Sequence, residues 1–173
     1  MNGLHSISLS SILSKSTSEM RRMRTNRIAF ALLSFSFTLM AADPFVGTWK
    51  LNLTKSTLAG ASKDIVSQTM TISGTGSDTQ VVIDSVLKSG ETRHEEHIRT
   101  ADGKEHPARG VGFKLVGATE TVVRVDASTR QITGKRDGKV RGVISSTVSP
   151  DGKVMTNRRT GSTGEEILVF EKQ

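Results

Sequence analysis

From Phe45 onward the chain alternates. Phe45, Gly47, Trp49, Leu51 and Leu53 fall on one side, and Val46, Thr48, Lys50, Asn52 and Thr54 fall on the other. Period two over ten residues, with one nearly pure apolar face, predicts a strand half buried in a core. The pattern returns in Val66, Met70 and Ile72, in Val81, Ile83 and Leu87, and in Phe113 with Leu115. It continues in Val123 with Val125, at Ile132, in Val140, Ile144 and Val148, from Val154 to Arg158, and in Ile167 to Glu171. Thr92 to Arg99 is polar but also alternates, and Thr54 to Lys63, rich in small residues, predicts a crossing loop with at most one helical turn.

Turn residues punctuate these pieces: Gly74-Thr75-Gly76, Ser89-Gly90, Asp102-Gly103, Gly117-Ala118, Asp137-Gly138, Asp151-Gly152 and Gly161 to Gly164. Asp-Gly supplies the positive φ of type I′ hairpins. Asp-Gly-Lys recurs at 102, 137 and 151, and we read this as repeated hairpin chemistry. No stretch has the length and 3.6-residue period of a substantial helix. The expectation is all-β: an antiparallel up-and-down meander closing into a barrel of 8–10 strands, since closure removes exposed edges.

The first 41 residues read differently. Arg21, Arg22, Arg24 and Arg27 precede an uncharged run from Ile28 to Ala42, and Asp43-Pro44 follows. A basic start, a short apolar middle and a small-residue exit predict a signal peptide cleaved near Ala41 or Ala42; the alternative is a buried N-terminal helix. The run is shorter than the roughly 20 apolar residues that span a bilayer, so no transmembrane segment is expected in residues 42–173. Residues 1–19 are polar and serine-rich, and Met20 or Met23 would each open a leader of ordinary length; the alternative is one long leader. Residues 42–173 are expected to form one exported, monomeric domain, periplasmic or extracellular.

The full chain carries 24 basic and 17 acidic residues, net +7. Beyond residue 41 the count is 19 and 16, net +3, which weakens any nucleic-acid reading. The absence of Cys excludes disulfides, thiolate metal sites and thiol nucleophiles.

Gly47-Thr48-Trp49 resembles the Gly-x-Trp opening strand of the calycins, the lipocalins and fatty-acid-binding proteins. Val169 to Lys172 resembles the last strand of the fatty-acid-binding branch. Nearly all of residues 42–173 is similar to a set of small secreted bacterial lipocalin-like proteins, through Asp43 to Asn52, Thr54-Lys55-Ser56, Ser149 to Lys153 and Phe170 to Lys172. The resemblance implies a barrel with Trp49 plugging its closed end and a basic side chain, Arg158 or Arg159, covering the indole. It also implies an Arg-x-Tyr carboxylate clamp on the last strand, but Leu168 and Phe170 stand there and the chain has no Tyr.

Candidate chemistry is sparse. On a strand, His94 and His97 point to opposite faces, while His94 with Glu96, or Glu95 with His97, share one; with His106 they make at best a loose metal set, and a solvated polar strand is the preferred reading. Asp84 is expected on an outer face, or else inward as a ligand contact or base. Gly74-Thr75-Gly76 lacks the following helix of a nucleotide fingerprint. Nothing points to a catalytic residue, a cofactor or a bound metal. The expected function is therefore enclosure of a small, mostly apolar molecule, with cavity candidates Trp49, Met70, Ile72, Val81, Ile83, Phe113, Leu115, Val123, Ile144 and Phe170. The alternative is a ligand-free envelope module whose basic hairpin 130–141 meets a partner or anionic polymer.

Overall fold

The computed structural model describes residues 43–74, 77–112, 116–161 and 164–173. The expected leader, 1–41, lies outside the described residues, as do Phe113 and Leu115. Eleven strands follow in order: β1 Gly47–Leu51, β2 Ile65–Ser73, β3 Asp78–Leu87, β4 Thr92–Thr100, β5 Glu105–Pro107, β6 Arg109–Val111, β7 Ala118–Arg124, β8 Thr129–Arg136, β9 Lys139–Val148, β10 Val154–Gly161 and β11 Gly164–Lys172. Two short 3-10 turns, Leu53–Lys55 and Gly60–Asp64, occupy the crossing loop. Asn52, the first residue of a glycosylation-type triplet, caps the first of them: its Oδ1 accepts from the Lys55 amide at 3.0 Å.

All pairings are antiparallel, in the order β5-β7-β8-β9-β10-β11-β1-β2-β3-β4-β6. The meander is thus nearly a closed barrel. The count exceeds the expected 8–10 because one crossing segment splits in two: Glu105–Pro107 pairs with β7, and Arg109–Val111, one residue later, pairs with β4. That segment bridges the seam between β4 and β7. Inside the seam Arg99 Nε donates to Glu120 Oε2 at 3.3 Å, joining β4 to β7 directly.

The core fills one end. Phe45, Trp49, Leu51, Met70, Ile72, Val81, Ile83, Val148, Met155, Leu168 and Phe170 form one buried cluster. Trp49 is fully buried, and its Nε1–H donates to the Phe45 carbonyl at 2.9 Å, satisfying the indole's one polar group. The cover over the indole is Lys172, whose Nζ lies 5.0 Å from the ring centroid. The expected covers serve elsewhere: Arg158 turns outward to Glu165, and Arg159 turns inward to Glu166. Gly47 explains the choice of cover. Its φ is +141°, and a Cβ there would sit 2.6 Å from Lys172 Cε, so glycine clears the path for Lys172 across Trp49. Beside it, the Arg130 guanidinium lies 4.3 Å from the Phe45 centroid and pairs with Asp43. Arg130, expected on a surface hairpin, is 6% exposed and belongs to this cap.

Local geometry corrects two further expectations. Of the Asp-Gly turns, Asp137-Gly138 has positive φ at both residues, 50° and 73°, as type I′ requires. At Asp102-Gly103 and Asp151-Gly152 only the glycine does. In β9, Gly134 pairs with Gly142 but Lys135 pairs with Val140, so Arg141 is an extra residue. This bulge reverses the alternation: Val140 is exposed, while Val148 is buried.

Trp49→Ala is expected to cost about 3–5 kcal/mol, because an aromatic of this size leaves a cavity on truncation. Urea unfolding measures it, and an unchanged midpoint would contradict the plug.

Candidate functional site

Beyond the core the barrel opens into a chamber of about 770 Å³. Its walls are the inward rows of β4, β7, β8, β9, β10 and β11. The rows follow from register: Ile83 stands opposite Glu95, Val81 opposite His97, and Thr79 opposite Arg99. The apolar inner face of β3 therefore continues in β4 as Glu95, His97 and Arg99. Across the barrel Ile132 faces Ile144, and Ile144 faces Arg159, which in turn faces Glu166.

Most of the charges lining the chamber come as pairs, and Arg136 and Arg141 line it as well. Besides Arg99–Glu120, Arg159 Nη1 donates to Glu166 Oε1 at 3.2 Å, and His97 Nε2 lies 3.7 Å from Glu95 Oε2. At the mouth Lys135 pairs with Glu105. Glu166 Oε2 also accepts from the Ala59 amide at 3.3 Å, tying the crossing loop to this wall. The His97 hydrogen bond, followed by the charges of His97, Arg159 and Arg93, holds the Glu95 carboxyl below its ordinary value against the opposing effect of burial. Burial pushes the Arg99 guanidinium down, and Glu120 opposes that shift. Against these pairs the chamber sets an apolar strip: Ile83, Ile132 and Ile144.

A smaller annex of about 170 Å³ adjoins it, sharing Ile83, Glu95 and Arg159 and adding Gln68, Ser85 and residues of the second 3-10 turn. Gln68 Nε2 donates to Ser85 Oγ at 3.2 Å. Gln68 Oε1 and Arg159 Nε are buried without a partner. The arrangement offers fixed donors and acceptors to a guest beside an apolar wall.

The ten cavity candidates separate. Ile83 and Ile144 line the chamber. Trp49, Met70, Ile72, Val81 and Phe170 belong to the closed core, with Ile83 at the boundary. Val123 is 39% exposed and its neighbour Val122 is 3% exposed. The sequence offers two adjacent valines, and register decides between them: Val122 stands opposite Ile132. Phe113 and Leu115 lie outside the described residues. Leu168 and Phe170, at the clamp positions of the resemblance, are buried in the core.

The residues that sequence reasoning missed are Gln68, Ser85, Arg99, Glu120, Arg159 and Glu166. The available signal was the period-two row Glu95-His97-Arg99, read as a solvated strand.

The opposite face of β4 is ordinary surface. His94 Nδ1 lies 2.7 Å from Asp84 Oδ1 and its Nε2 lies 3.2 Å from Glu96 Oε1, so Asp84 points outward. His106 pairs with Asp102 at 2.9 Å. Among the described residues no three His, Asp or Glu side chains gather as a metal site.

Comparison with protein-family models and with curated proteins finds no match. Solved structures do match. The wild-type fluorescent protein UnaG is 18% identical with a TM-score of 0.56, the alignment covering 75% of this chain and 97% of that one. The Schistosoma mansoni fatty-acid-binding protein in complex with arachidonic acid is 16% identical with a TM-score of 0.53, covering 75% and 96%. At this identity the likeness is one of fold: the chain shares the barrel fold of UnaG and of this fatty-acid-binding protein. Among the described residues no helix is long and apolar enough to cross a membrane.

Two predictions follow from the charged groups. Glu120→Ala leaves Arg99 without its partner in the seam and is expected to cost about 3 kcal/mol in denaturant unfolding; an unchanged stability would show that the pair does not hold β4 to β7. His94, between Asp84 and Glu96, has its pKa raised by those hydrogen bonds. Its stabilising effect is therefore complete below the unfolded value of about 6.5 and fades as pH rises through the folded value. Histidine NMR titration is expected to give His94 a midpoint above that value, falling in Asp84→Asn.

Proposed function

We propose that the chain is an exported binder of a small amphiphilic molecule, held in the chamber with its apolar part against Ile83, Ile132 and Ile144. The observation that carries this reading is the division of the barrel interior. One half is closed by side chains; the other is an open space of about 770 Å³, within the roughly 300–1,000 Å³ common for small-molecule sites.

The paired charges refine the expectation of a mostly apolar guest. Arg99–Glu120, Arg159–Glu166 and Glu95–His97 present hydrogen-bonding groups, and Lys135, Arg136 and Arg141 add positive charge to the lining. A purely hydrocarbon guest would leave these groups desolvated without new partners, at a cost in affinity. A guest with an apolar part and a polar part meets both walls. The fatty-acid-binding neighbour holds arachidonic acid, which supports a binding role for this shape of barrel.

The basic start and short apolar run of residues 21–42 support export. The second reading, an envelope module acting through its surface, draws on Lys139 and Val140, exposed at the Asp137-Gly138 hairpin tip.

Native mass spectrometry of protein recovered from its own cells tests both. A reproducible small-molecule adduct is expected on the wild type, and its weakening in Ile144→Trp, which places a bulky ring in the chamber. A clean apo mass for the wild type would contradict the binding reading and favour the surface module.

A further inference from the structure

The charge of the barrel is uneven along its axis. At the sealed end, Asp102, Asp126 and Asp151 each accept from a backbone amide of their own turn. At the open end, residues 135–141 hold four basic side chains and one acidic one. Lys139 and Arg141 are exposed there. The one acid, Asp137, is turned aside: its Oδ1 lies so close to Gly117 that a Cβ on that glycine would come within 2.3 Å of it. The neighbouring hairpin, joined through the pairing of Gly142 with Gly161, has no charge from Thr160 to Gly164.

Apolar side chains stand at the same tip. The Asp137 amide donates to the Gly117 carbonyl at 2.9 Å, which ties the loop before β7 to the β8–β9 hairpin. Val116 precedes Gly117 and is 93% exposed; Val140, in the hairpin, is 58% exposed. Single exposed valines are ordinary. Two on turns joined to each other, beside basic side chains, combine an apolar anchor with a basic patch, the two weak signals that together hold a protein on a lipid surface. An anionic polymer would pair with Lys139 and Arg141 but leave the valines in water. A bilayer takes both.

We propose that the open end docks on an anionic lipid bilayer, with Val116 and Val140 entering the headgroup layer and Lys139 and Arg141 meeting lipid phosphates. Arg136, Arg141 and Gly161 also line the chamber, so in this pose the chamber faces the membrane. The docking needs no guest and stands apart from the binding reading; for the surface reading it names the partner.

Vesicle cosedimentation of protein recovered from its own cells tests the proposal, with vesicles of phosphatidylcholine alone or with about one-third phosphatidylglycerol. At low salt the anionic vesicles are expected to bind about tenfold more tightly, and about 1 M salt, with a screening length near 3 Å, is expected to remove the difference. Lys139→Gln and Arg141→Gln are each expected to weaken binding about fivefold. The one native indole, Trp49, is buried, so Val116→Trp reports the tip, and its emission is expected to shift blue on anionic vesicles. Val125→Trp, beside Asp126 at the sealed end, is expected to show no such shift. All four positions are exposed, and the variants are expected to keep the wild-type melting transition. Equal binding to both vesicles, an absence of binding, indifference to Lys139 and Arg141, or a shift at residue 125 as large as at 116 overturns the proposal. Retention on dextran sulfate without vesicle binding overturns it too, and leaves the surface reading with a polymer as partner. The native-mass adduct decides the binding reading separately.

Discussion

The burial of one indole organises this barrel. Trp49 has no exposed surface, its N–H is satisfied by the Phe45 carbonyl, and Lys172 lies over the ring. Each contact fixes another part of the chain. The carbonyl folds residues 43–46 across the end of the barrel, where Asp43 reaches Arg130 and Arg130 covers Phe45. Lys172 reaches the ring because Gly47 has no side chain to obstruct it. The interior is thereby sealed at one end, and the space left over collects at the other.

That remaining space is polar because the alternate positions of its strands are polar. Ionised groups tolerate burial only as hydrogen-bonded pairs, and Arg99–Glu120 and Arg159–Glu166 meet that condition. They also solve structural problems. The first joins the two strands that the short segments β5 and β6 bridge only partly. The second holds the wall next to the crossing loop, since Glu166 also accepts from Ala59. In the second pair Arg159 Nε is left without a partner.

The architecture was legible in the sequence because period two survives almost unbroken from Phe45 to Phe170, and because Gly-x-Trp marks the plug. The faces were less legible. Val122 and Val123 carry no internal sign of which points inward; pairing with Ile132 decides it. The bulge at Arg141 reverses the phase between Val140 and Ile144, and a strict period cannot reveal such an insertion. The chamber was hidden for a different reason. An alternating polar strand predicts solvent on one face and core on the other, so Glu95, His97 and Arg99 read as surface until the barrel closes around them. Partners as remote in sequence as Arg99 with Glu120, or Glu166 with the Ala59 amide, depend on closure and leave no local pattern.

A sealed apolar half and an open polar half coexist in one barrel. A crystal structure of the protein recovered from its own cells tests it most directly. The expected result is a packed plug around Trp49, inward Arg99 and Arg159 still joined to Glu120 and Glu166, and density for an organic molecule in the chamber beside Ile144 and Arg159. A collapsed chamber filled by its own side chains, with both arginines turned out to solvent, would contradict it.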